Sequence, residues 1–143
     1  MIKEIISIAA ERGITITPLI DHYALNNYLD KRHDVNVPSY YVMLPKQSEL
    51  RRGIYSTSDV QRIELVAVMS TDFDSDDRRD CDNVGEAVKT LKGGLLDIIE
   101  ALEDSEQYDN VDTISFVAIP YRYDSFTTAV TATFNLAKPY TRC

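Results

Sequence analysis

From Phe126 onward the chain alternates: Phe126, Thr128, Val130, Ala132, Phe134 and Leu136 fall on one side, Thr127, Ala129, Thr131, Thr133 and Asn135 on the other. A period of two is the mark of a strand with one buried and one wetted face. Upstream, Val88, Leu91, Leu95, Ile98 and Leu102 recur at spacings of three and four, an apolar stripe on a helix from Val84 to Glu103. Each element has one face to hide and can hide it against the other, so the chain is constrained to helices layered on a sheet.

The remaining elements follow in order. Ile2, Ile5, Ile6, Ala9 and Ala10 predict a short helix stopped by Gly13. Thr17-Pro18 reads as a cap followed by proline at the first helical position, opening a second helix to about Arg32. Ser39–Leu44 is rich in strand formers and closed by Pro45. Lys46–Asp59 reads as a polar loop holding Arg51, Arg52 and Gly53, with Ile54 and Tyr55 its only bulky apolar residues apart from Leu50. Gln61–Ser70 is a strand with Ile63, Leu65, Ala67 and Met69 on one face. Val66 and Val68 make its other face apolar, so it belongs at the centre of the sheet or against a second surface. After the aspartate-rich loop Thr71–Asn83 comes the striped helix, interrupted by Gly93-Gly94 at about 1 kcal/mol per glycine. A close approach of another backbone would explain that pair. An acidic loop over 104–112 and two strands, 113–123 and 126–137, complete the chain. The order α-α-β-β-α-β-β predicts a single α+β domain over 1–143: a four-stranded, mainly antiparallel sheet with helices on one face and the other face partly free.

Composition narrows the function classes. The net charge of −8 argues against a protein whose main task is gripping nucleic-acid phosphates. No apolar run reaches the roughly 18 residues of a membrane span, and the early acid Glu4 makes the start a poor signal peptide. Cys81 and Cys143 lack partners at ligand spacing and read as free thiols of a reducing cytoplasm. Asp72, Asp74 and Asp76 match the first, third and fifth positions of a calcium loop, but Asp77 stands where glycine is wanted and Asn83 where glutamate is wanted. With Asp80 and Asp82 they are expected to form a solvated acidic loop. His22 and His33 are expected on the surface or in helix packing, and no phosphate loop or nucleophile motif is present, so no cofactor and no catalysis are expected. Tyr40, Tyr41, Tyr121, Arg122 and Tyr123 place aromatics and arginine on the sheet, a composition enriched at protein–protein surfaces. It also suits simple cross-strand packing and, less well given the acidic charge, the stacking of single-stranded bases.

The run Tyr40-Tyr41-Val42-Met43-Leu44-Pro45, a long loop, Ile63-Glu64-Leu65-Val66-Ala67-Val68, an amphipathic helix, Phe116-Val117-Ala118-Ile119-Pro120-Tyr121 and a closing amphipathic strand have a familiar order. The chain resembles the tail-terminator and head–tail joining (tail completion) proteins of tailed bacteriophages, small α+β subunits that assemble as rings, often hexameric. The N-terminal helix and the aspartate loop are additions to that compact pattern. The resemblance implies a non-catalytic virion subunit, assembled in the host cytoplasm, that caps a tail tube or joins it to the neck. Its partners would be copies of itself and the tail-tube and connector proteins, with DNA only passing by. Under it, Arg51, Arg52, Ile54, Tyr55, Tyr121, Arg122 and Tyr123 become candidate subunit contacts. Asp72, Asp74, Asp76, Asp77, Asp80 and Asp82, with the segment 104–112, become candidate channel-facing acids that repel the DNA backbone. The alternatives are a bacterial adaptor domain binding a protein through its sheet, and a small domain holding a metal on the loop 72–82.

Overall fold

The computed structural model describes residues 1–21, 24, 38–45, 47–70, 77–120 and 127–140. The first helix, α1, spans Ile2–Glu11 and buries Ile5, Ile8 and Ala9. Gly13 ends it in the left-handed conformation at φ 78°. The Gly13 and Ile14 amides donate back to the Ala10 and Ala9 carbonyls, each at 3.0 Å, the paired bonds of a Schellman stop.

The chain then departs from the expected second helix. Ile16–Leu19 is a short strand, β1, running parallel to β2 (Ser39–Met43), with Ile16 beside Tyr40 and Leu19 beside Met43. Thr17-Pro18 is therefore not a helix start, and Pro18 is tolerated because β1 lies on the sheet edge. A helical cap does occur four residues later, where Asp21 Oδ1 accepts from the Ala24 amide at 2.9 Å. The rest of the helix expected to reach Arg32 lies outside the described residues.

A second departure concerns the polar loop 46–59. Ser48–Arg52 is a strand, β3, and β4 begins at Thr57 and runs for 14 residues to Ser70. β2 and β3 pair with successive halves of the same edge of β4, Ser39–Val42 against Leu65–Val68 and Ser48–Arg52 against Thr57–Gln61. They are collinear halves of one long strand, interrupted around Pro45, which has no amide hydrogen for the ladder. The sheet is thus six-stranded rather than four-stranded, in the order β1-β2-β4-β6-β5 with β3 on β4. Here β5 is Ser115–Pro120 and β6 is Thr127–Pro139, both antiparallel to their neighbours. The four expected strands are present, and β4 does sit centrally, between β2/β3 and β6.

The helix α2 is longer than its apolar stripe, 28 residues from Asp77 to Asp104. Asp77, Asp80 and Asp82 lie on it rather than in a loop, since no glycine or proline between 77 and 84 interrupts the helix. α1 and α2 cover one sheet face. Leu91, Leu95, Ile98 and Leu102 of the stripe meet Val42, Ile63, Leu65, Val130, Ala132, Phe134 and Leu136 in one core. Each such side chain contributes roughly 1.5–3 kcal/mol before entropy. The opposite face is not simply free. At its β2 end Tyr41, Met43, Val66, Val68 and Ala129 form a second buried apolar cluster with Leu19 packed against it. Ala129, expected on the wetted side of β6, is buried there.

Candidate functional site

Two features stand out from this scaffold: the end of the β3–β4 hairpin and a hollow on the sheet face away from α2. Gly53–Ser56 makes the hairpin turn, closed by the Gly53 amide donating to the Ser56 carbonyl at 2.7 Å. At its tip Ile54 and Tyr55 are 92% and 98% exposed. Large apolar side chains singly exposed are ordinary, but two adjacent and almost wholly bare ones at the end of an arm invite a partner. All of β3 is exposed, and it carries Glu49 and Arg51 on one face and Leu50 and Arg52 on the other. Arg51 Nη2 lies 3.4 Å from Glu49 Oε1, an exposed pair of little energetic weight. Four of the expected contact residues are thereby gathered at one end of one hairpin, Arg51 and Arg52 on the last ladder positions and Ile54 and Tyr55 in the turn that joins the strands.

The hollow opens where the β2–β3 strand is interrupted. It holds about 160 Å³ and is lined by Ile20, Met43 and Leu44 on its apolar side and by Gln47, Arg62, Glu64 and Thr133 on its polar side, with Asp21 at its margin. Ile20 and Leu44 are 68% and 50% exposed at its rim. The Leu44 amide donates to the Leu19 carbonyl at 2.9 Å, which holds the rim on β1. Sequence reading missed this feature, because it is assembled from four separated stretches.

The far edge of the sheet is a third surface. Among the described residues β5 pairs with β6 alone; it carries no charged residue from Ser115 to Pro120 and exposes Val117. Phe116 is held from the helix side by Lys92, whose Nζ stands 5.5 Å from the ring centroid.

Near the end of α2 the segment expected as an acidic loop is pinned. Tyr108 is buried and its hydroxyl donates to Glu4 Oε2, while Lys138 Nζ lies 3.4 Å from Glu4 Oε1. The Asp109 amide donates to the Ala137 carbonyl at 2.9 Å. The Tyr108 hydrogen bond, then Lys138, hold the Glu4 carboxyl below its ordinary range against the opposing effect of burial. Burial, then Glu4, push the Tyr108 phenol far upward. This trio ties α1, the segment after α2 and β6 together. Tyr108 is the one aromatic residue in that acidic stretch, which is the signal that would have marked it.

Tyr121, Arg122 and Tyr123, together with Asp72, Asp74, Asp76, His22, His33 and Cys143, lie outside the described residues. Among the described residues no group of three or more His, Cys, Asp or Glu side chains is placed to hold a metal ion. No helix among them is long and apolar enough to cross a membrane. The chain matches no protein-family model and no curated protein sequence.

Proposed function

We propose that this chain is a structural, non-catalytic building block that assembles with copies of itself into a ring, a hexamer, at the end of a phage tail tube or at the head–tail neck. The observation that carries the reading is the bare Ile54–Tyr55 pair at the tip of a hairpin whose last strand residues are Arg51 and Arg52. Burying two such side chains gains roughly 3–6 kcal/mol before association costs. A contact of that size is weak alone and becomes useful when a closed ring makes every subunit give and receive it.

The acidic segments constrain how such a ring is built. Residues 77–82 and 104–112 lie at opposite ends of α2, separated by about 33 Å at 1.5 Å per residue. Both line one channel only if α2 runs along its axis. The proposal that these acids keep DNA from sticking is wrong if replacing Asp72, Asp74, Asp76, Asp77, Asp80 and Asp82 by asparagine leaves assembly and genome delivery intact.

Electron microscopy of the purified protein, alone and mixed with tail-tube subunits, tests the main reading. Rings or capped tubes support it, and particles of monomer size in both samples overturn it. The uncharged strand β5, which among the described residues is paired along one edge, favours a second reading, an adaptor that binds an extended segment of another protein by strand addition. A stable monomer that loses its partner on Val117→Lys would support that one instead.

A further inference from the structure

We infer that the hollow between Leu44 and Thr133 is the socket for Tyr55 of a neighbouring copy. The inference rests on the self-assembly reading and supplies its missing half, the surface that receives the hairpin. Size is the first argument: the hollow holds about 160 Å³, and an engineered cavity of about 150 Å³ takes one benzene ring. Chemistry is the second. A tyrosine is an apolar ring with a polar tip, and the hollow has an apolar wall of Ile20, Met43 and Leu44 facing polar groups of Gln47 and Thr133. Ile54, beside Tyr55, then meets the exposed rim of Ile20 and Leu44.

Charge is the third argument. Copies carrying a net −8 repel one another unless the contact brings opposite signs together. The hairpin end brings two cations, Arg51 and Arg52, of which Arg51 already faces Glu49 at 3.4 Å, and the charged residues among the described lining of the socket are Asp21, Glu64 and Arg62. Geometry then fixes the occupant as a second molecule. Thr57, Arg62 and Glu64 lie along one strand, so the base of the tip stands about 17–23 Å from its own socket at 3.3 Å per residue. Tip and socket are different surfaces, so the contact is head-to-tail and propagates until it closes.

Disulfide trapping tests this in protein carrying Cys81→Ser and Cys143→Ser. Ile54→Cys, which leaves the Tyr55 ring in place, and Leu44→Cys are made in separate preparations, and both positions are exposed enough to leave the fold alone. Mild oxidation of the mixture is expected to give a cross-linked dimer at several times the yield of either preparation alone, and the doubly substituted chain is expected to give a ladder ending at a closed ring. Equal yields in the mixture and the single preparations overturn the inference. Sedimentation of Tyr55→Ala, run alongside, separates this failure from that of the ring. An oligomer that survives Tyr55→Ala and shows no mixed disulfide refutes the socket and leaves the ring standing. A chain monomeric at its highest soluble concentration with no mixed disulfide refutes both, and an open-ended ladder supports the socket while refuting closure.

Discussion

Gly93 and Gly94 stand side by side in α2, yet they should respond oppositely to the same substitution. A Cβ built on Gly93 meets nothing within 4 Å, whereas one on Gly94 falls 1.9 Å from the Tyr40 hydroxyl oxygen, 2.8 Å from Cζ and 3.0 Å from Cε1. Glycine inside a helix costs about 1 kcal/mol relative to alanine. Gly93→Ala should therefore stabilise by about 1 kcal/mol, or about 4 °C in Tm for a chain of this size. Gly94→Ala gains the same propensity but drives the phenol off a surface it half-buries, at an overpacking cost of about 1–3 kcal/mol. Propensity cancels between the two variants, so their difference isolates the clash. Urea unfolding should place Gly94→Ala about 1–3 kcal/mol below Gly93→Ala with unchanged m. In a Tyr40→Ala background the two should agree within about 0.5 kcal/mol. If both alanines stabilise equally in the parent chain, Tyr40 moves away freely and the reasoning about this contact is wrong.

The buried Tyr108 gives a test of the anchoring trio: Tyr108→Phe should lose about 1 kcal/mol at pH 7, a charge-assisted hydrogen bond discounted because Glu4 is partly exposed. Because the folded phenol titrates above its ordinary value, its contribution is complete below about pH 10 and is lost as pH rises further. Stability curves of parent and Tyr108→Phe should thus converge in alkali, and parallel curves would exclude the role. Glu4 has the opposite sign, its folded pKa being depressed, so its contribution holds above about pH 4 and fades as acid protonates it; Glu4→Gln should flatten the acid limb of the stability profile. Glu106 sits at φ 60° just past α2, a conformation costing non-glycine residues about 1 kcal/mol, and Glu106→Gly should be neutral to slightly stabilising in thermal melts. Arg51→Glu with Arg52→Glu should leave the melting temperature within about 1 °C, since both are exposed, while reducing oligomer mass in light scattering; an unchanged mass removes these arginines from the contact.

Residues that repeat a pattern within one element were readable in advance. The alternation of β6, the stripe of α2, the Gly13 stop and the two-sided apolar run of β4 each state locally which side must be hidden, and tertiary packing hides that side. The hairpin residues Arg51, Arg52, Ile54 and Tyr55 were also noticeable, as charge and bulk in an otherwise polar stretch. That they share one rigid hairpin was not. Ser48–Arg52 has no apolar alternation, and it is a strand because the lower half of β4 offers an unpaired edge. Ile16–Leu19 carries a helix-start signature and becomes a strand because the edge of β2 satisfies its backbone.

Local pattern thus accounts for the elements whose own side chains demand burial: α1, α2 and the strands β2, β4, β5 and β6. Everything that depends on a neighbour brought from far along the chain emerges only on folding. That covers β1 and β3, the Tyr40 ring over Gly94, the Glu4–Tyr108–Lys138 tie and the hollow beneath Leu44. The difference is one of range. Hydrophobic periodicity is written in adjacent residues, whereas a backbone edge, a close approach or a cavity exists only between surfaces that folding has already set side by side.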